Sequence, residues 1–264
     1  LQEDLSHDDH HDEHHEQGFV SKYIFSTDHK TIAKQFLITG IFWALIGGGL
    51  SIIFRLQLGF PEMQLEWLRP IMGEWITDAG KLDAEFYLAL VTMHGTIMVF
   101  WVAMPVLLGG FGNFLIPLML GADDMAFPKL NMMSYWVFFL STVVLLLSFI
   151  VPQGPAAAGW TGYPPLSASE AYSGVGIGME LWILAVALEF FSILMGGVNF
   201  ITTTVNMRAK GMSFFRMPIF VWMEIFATVI FMFSVGPLVA GALMRLLDHA
   251  FGTGFYNPIT GGDP

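Results

Sequence analysis

The sequence predicts an all-α, polytopic membrane helix bundle with five transmembrane helices. Three observations carry this. Of 264 residues, 55% are hydrophobic and only 12% charged, whereas soluble domains are about a quarter charged. Five apolar runs, near 32–58, 86–120, 130–151, 179–205 and 218–247, are each long enough to span a bilayer as a helix at about 1.5 Å per residue. Short polar or Gly/Pro-rich turns separate most of them. The 264 residues contain no cysteine, which excludes disulfides, thiolate metal sites and thiol catalysis within them. Nothing in the composition points to a nucleic-acid partner; membrane lipid is the expected surrounding.

Residues 1–17 read LQEDLSHDDHHDEHHEQ, with seven Asp/Glu, no Lys/Arg and five histidines. The segment is too polar to form a core and is expected to be a disordered, solvated tail; metal binding is the alternative for such a tract. It holds −7 of the −11 formal net charge, so residues 18–264 are the membrane domain and are close to electroneutral. The first run carries Gly40, Ala44 and Gly48 at four-residue spacing, a small-residue stripe suited to close helix packing. Arg55 near its far end reads either as a snorkelling interfacial cation or as the partner of an anion or carbonyl group.

A long polar connection over 59–85 has six acids, Arg69, Lys81 and the interfacial aromatics Trp67 and Trp75. Within the second run, residues 86–104 contain a single Asp, Glu, Lys, Arg or His side chain, His94. An ionisable group in hydrocarbon is costly and marks a functional site. Neutral imidazole ligates haem iron, and the small Gly95 and Thr96 let a flat ligand approach. The competing explanation is a histidine hydrogen-bonded to a neighbouring helix. Pro105 is expected to kink this run and Pro237 the fifth.

Loop charge orients the bundle. With the N-terminus inside, Lys22, Lys30, Lys34, Lys129, Arg208, Lys210 and Arg216 fall on the inner side, and Arg55, Arg69, Lys81 and Arg245 on the outer. His94 then lies nearer the outer face. Asn113, Asp124, Asn131 and Ser134 gather towards the inner face, with Asn199 and Ser192 further in. Hydroxyls and amides can hold waters in file, as proton conduction requires; ordinary interhelical hydrogen bonding is the alternative.

Six words of sequence then resemble one family. They are FSTDHK (25–30), the His94 segment, GGFGNFLIPLMLGADDMAFPKLN (109–131), GWTGYPPLS (159–167), NFITTTVNMR (199–208) and FYNPITGGDP (255–264). In this order they resemble the N-terminal part of subunit I of the haem–copper oxidases. The resemblance implies a proton-pumping respiratory oxidase, with electrons from cytochrome c passing through low-spin haem A to a haem–copper centre that reduces oxygen. It implies His94 as an axial ligand of the low-spin haem and Arg55, with Ser51 one turn before it, at the haem formyl group. Trp160 would reach a propionate of the high-spin haem. Asp124 would open a proton pathway lined by Asn113, Asn131, Ser134, Ser192 and Asn199.

The family's subunit has about twelve helices, so ligands of the high-spin haem and copper are expected in a remainder of subunit I, on the same or a separate chain. Oxidase subunits II and III are the further partners, and a bacterial or mitochondrial inner membrane the location. Gln57 stands where the family has a cation-binding glutamate, and Glu189 and Glu224 stand where it has uncharged residues. A quinol oxidase of the same superfamily is the nearer alternative, disfavoured by apolar Phe86, Ala89, Ile46 and Leu50 at positions that branch makes polar. A cofactor-free transporter or structural bundle is the more distant one.

Overall fold

The computed structural model describes residues 18–168 and 176–263; the acidic tail expected to be disordered lies outside them. Five helices long and apolar enough to cross a membrane form the bundle: α1 (His29–Gly59), α2 (Ala84–Leu120), α3 (Pro128–Leu147), α4 (Ile177–Asn206) and α5 (Ile219–Phe251). They run alternately up and down. One end of the bundle carries Asp124, the other Trp160.

Asp28 caps α1, its carboxylate accepting from the Thr31 N–H and hydroxyl, both at 2.8 Å. Burial raises the Asp28 pKa, but these two Thr31 bonds outweigh it and hold the group below the usual carboxylate range. Glycines bring α1 against α2. A Cβ at Gly40 would meet Val106 Cγ2 at 2.5 Å, one at Gly47 would meet Ile97 Cγ2 at 2.9 Å, and the Phe36 ring fills the space beside Gly109. The contact therefore runs through Gly40 and Gly47, seven residues apart, instead of the predicted Gly40–Ala44–Gly48 stripe. Gly48 faces open space. A seven-residue repeat keeps one seam of the helix on its neighbour. Gly40→Leu is expected to destabilise the bundle by about 1–3 kcal/mol through overpacking, read as a lower midpoint in denaturant titration of the purified protein.

Pro105, expected to kink α2, lies within a stretch that stays helical on both sides of it. Residues Ile97–Ala103 and Pro105–Gly112 form wider π-type turns, in which the Met104 N–H reaches the Val99 carbonyl. The extra residue per turn moves the preceding carbonyls away from the proline ring, which would otherwise clash and leave one unpaired. Gly121, at φ 68°, closes the end of α2 in the left-handed region. Pro237 likewise sits inside a continuous α5.

The third run was expected to reach residue 151; α3 stops at Leu147 and residues 148–150 are turns, with the Ser148 hydroxyl donating to the Leu145 carbonyl at 2.6 Å. α1 and α2 form the most extensive helix pair, and α3 and α4 the next. Arg208 caps α4, donating to the Thr204 and Val205 carbonyls at 2.6 and 2.9 Å and lying 3.9 Å over the Phe214 ring.

The connection read from sequence as long and polar folds over 60–83 into a cap with an apolar interior. Leu65, Leu68, Met72, Ile76 and Leu82 are buried against Phe54, Phe86 and Leu90 at the Trp160 end. Arg69 grips Glu66 through two bonds, at 2.7 and 2.9 Å, and the Thr77 carbonyl at 2.7 Å. Gln57 joins the cap to α1, accepting from the Leu82 N–H at 3.0 Å.

Candidate functional site

His94 lies ten residues into α2, about 15 Å from its Trp160 end. Its ring is held from α1: Nδ1 lies 2.8 Å from the Gly47 carbonyl oxygen. A carbonyl only accepts, so Nδ1 carries the proton and Nε2 keeps a lone pair. Nε2 makes no hydrogen bond among the described residues. Backbone anchoring of one imidazole nitrogen is how a metal-binding histidine is oriented through the other.

The Phe54 ring stands edge-on to the imidazole at 5.7 Å, and the Arg55 guanidinium lies 5.8 Å from that same ring. Arg55 is exposed and has no hydrogen-bonding partner among the described residues. Ser51, buried one turn earlier, donates back to the Gly48 carbonyl at 2.8 Å. On the other side, Trp160 packs on Gly95, where a Cβ would lie 3.1 Å from its ring atoms. The loop bearing Trp160 is pinned to α2 by the Gly159 N–H, which donates to Thr92 Oγ1 at 3.0 Å, and α4 is tied to α2 by Trp182 Nε1, which donates to Thr96 Oγ1 at 2.9 Å. The structure thus groups His94, Ser51, Arg55 and Trp160 around one stretch of α2. A free imidazole nitrogen and a guanidinium without a partner among the described residues fit an iron porphyrin with acidic or carbonyl substituents, whereas the two glycines do not leave room for it: Trp160 fills the space at Gly95, and Ile97 and Met98 that at Gly47.

A second constellation starts at the other end. Asp124 sits in the turn between α2 and α3, its carboxylate accepting from the Met125 N–H at 2.7 Å. Burial raises its pKa above the usual carboxylate value and Asp28 adds to this, while the Met125 N–H and His29 act against it. The turn is clamped to α4. Asn199 accepts from the Phe127 N–H at 2.9 Å and donates to the Phe127 carbonyl at 3.1 Å, and Thr203 accepts from the Ala126 N–H at 2.9 Å. Asn199 therefore spends half its bonding capacity holding Asp124's turn.

His29 was read from sequence only as part of a matching word. It is 1% exposed, and its Nδ1 donates to the Asn113 carbonyl at 2.8 Å. It lies between Asp124 and Asn113. Inward from there the polar groups connect: the Ser134 hydroxyl donates to the Asn131 carbonyl and the Ser192 hydroxyl to the Ser134 carbonyl, both at 2.7 Å. Asn113 Oδ1 and both amide atoms of Asn131 are buried without a protein partner, and groups so placed are satisfied by ordered water. Asn113, Ser134 and Ser192 line one cavity of about 20 Å³, together with Glu189.

The fold and site define a membrane-spanning helix bundle with an anchored, ligand-competent histidine and a buried polar file beneath it. The chain belongs to the family described as cytochrome c and quinol oxidase polypeptide I, whose model matches residues 31–264; these are haem–copper oxidases. It is similar to the alternative cytochrome c oxidase subunit 1 of Bradyrhizobium diazoefficiens, at 41% identity over 90% of this chain and 38% of that protein. It is also similar to cytochrome c oxidase subunit 1 of Candida albicans, at 39% identity over 93% of this chain and 43% of that protein. A putative cytochrome c oxidase subunit 1-beta of Streptomyces avermitilis matches at 39% identity over 91% of this chain and 39% of that protein. The chain spans about two fifths of the length of these curated relatives. Membership implies haem and copper as the family's cofactors, other oxidase subunits as its partners and a membrane as its setting.

Proposed function

We propose that this chain forms the first part of the core subunit of a respiratory terminal oxidase. In this reading electrons pass from cytochrome c through a low-spin haem A to a haem–copper centre that reduces oxygen to water, with proton pumping. The observation that carries it is His94, anchored through Nδ1 by the Gly47 carbonyl with Nε2 left to ligate. When bound there, haem supplies a one-electron carrier whose potential is set by its axial ligands and surroundings.

The chain's own residues position and protonate. His94 would hold the iron; Arg55, supported by Phe54 and preceded by Ser51, would offer its guanidinium to the formyl group; Trp160 would offer its indole N–H to a propionate. Asp124 collects protons at the inner, N-terminal side, and His29, Asn113, Asn131, Ser134, Ser192 and Asn199 hold the waters or the turn that carry them inward. The remainder of subunit I would supply the further haem and copper ligands, with subunits II and III alongside.

Apolar packing where a quinone would need polar partners supports cytochrome c as donor. Phe86 stacks on Trp75 at 3.7 Å, Ala89 is buried, and Ile46 and Leu50 pack into the core. Oxidase purified through a tag on this chain is expected to show haem A bands in its reduced-minus-oxidised spectrum and to oxidise ferrocytochrome c. A spectrum without haem bands would refute the reading, and activity with quinol alone would move it to the quinol branch.

A further inference from the structure

We propose that Glu189 is a proton-relay carboxyl at the head of the polar file, passing protons onward from the cavity it shares with Asn113, Ser134 and Ser192. This rests on the reading of the chain as part of a proton-translocating oxidase.

Glu189 is 1% exposed, in the middle of α4. It is the sole titratable side chain lining that cavity, whose other walls are the two serines, Asn113 and apolar or glycine residues. About 20 Å³ is room for roughly one water. Glu189 Oε2 has no hydrogen-bond partner among the described residues, while the Ser141 hydroxyl on α3 hydrogen-bonds the same carboxyl group. None of the ion pairs among the described residues involves it. An unpaired carboxylate in such surroundings is costly, whereas a carboxylic acid can both donate and accept.

Its position completes a sequence of groups. Ser192 lies one turn along α4 on the same face, and beyond it Ser134 and Asn131 lead back towards Asp124. Glu189 is twelve residues, about 18 Å, from the Trp160 end of α4, and His94 about 15 Å from the same end of α2. The carboxyl thus stands at the depth of the candidate haem ligand, where the file of neutral groups stops. Glu224 is also buried and has an unpartnered Oε2, but it sits near the start of α5, beside Gly112, and lines no part of this cavity.

In the relay step the Glu189 O–H bond breaks as its proton passes to a water on the Trp160 side. A proton arriving through water at Ser134 and Ser192 then restores the acid. No electron moves at Glu189; oxygen reduction consumes the proton.

The test uses the complete oxidase with Glu189→Gln, measured by redox-induced infrared difference spectroscopy and by proton release from vesicles, with Glu224→Gln and Asp124→Asn beside it. Loss of one deuterium-sensitive protonated-carboxyl band is expected, with turnover reduced about 100-fold and haem bands unchanged. Glu224→Gln should keep that band. An unaltered carboxyl region with wild-type proton stoichiometry would overturn the relay. If Asp124→Asn is impaired in the same preparations, the pathway reading survives that failure; a wild-type enzyme without haem bands defeats both. Should the Gln variant fail to assemble, Glu189→Asp decides: a shifted band and slowed turnover support the relay, and an unshifted band at full turnover refutes it.

Discussion

Replacing His94 with Ala in the complete oxidase is expected to reduce cytochrome c oxidation to background and to remove the low-spin haem from the visible spectrum. Alanine leaves no donor atom on that stretch of α2, and no neighbour can take over. The Gly47 carbonyl that orients the ring is a poor substitute for imidazole at iron, and the Met98 thioether, whose sulfur lies 3.0 Å from an ideal Cβ at Gly47, is engaged in helix packing. The cavity cost of the change is small, because His94 is only partly buried. Lost activity with an intact, correctly sized complex would therefore report on ligation, and near-normal spectrum and turnover would exclude His94 as the ligand.

Asp124→Asn is expected to lower turnover by about 10- to 100-fold and to abolish pumping, measured as protons released per electron in vesicles. The clamp by Asn199 and Thr203 leaves the turn in place, so the variant removes titration and keeps shape. The pH dependence has a definite sign. Burial puts the Asp124 pKa above the ordinary carboxylate value, so the protonated fraction falls as pH rises through that raised value. Wild-type uptake should weaken on that limb, and the Asn variant should lack it. An unchanged proton stoichiometry would remove Asp124 from the pathway.

The helical class was legible because hydrophobic length is a local property: five runs each exceed a bilayer's thickness without reference to one another. His94 stood out for the same reason, as the one Asp, Glu, Lys, Arg or His side chain in nineteen residues. What holds its ring was not legible, because a backbone carbonyl on α1 has no signature in side-chain identity. The 60–83 cap was hidden by its acids, which mask the burial of Leu65 and Ile76. The π-type turns around Pro105 were not legible, because a proline announces a lost hydrogen bond, not how neighbouring turns absorb it. Gly48 was misread as a contact because a small residue shows what can approach, not which face the partner takes. The Glu189 cavity needs the relative register of α2, α3 and α4, and His29 looked like one more polar residue at a helix start.

The central claim is that His94 ligates iron through Nε2, and low-temperature electron paramagnetic resonance of the oxidised enzyme carrying His94→Met tests it most directly. Exchange of imidazole for thioether changes the ligand field, so the low-spin ferric signal should shift or vanish while the other metal centres keep theirs. A low-spin signal identical to that of the unaltered enzyme would contradict the account.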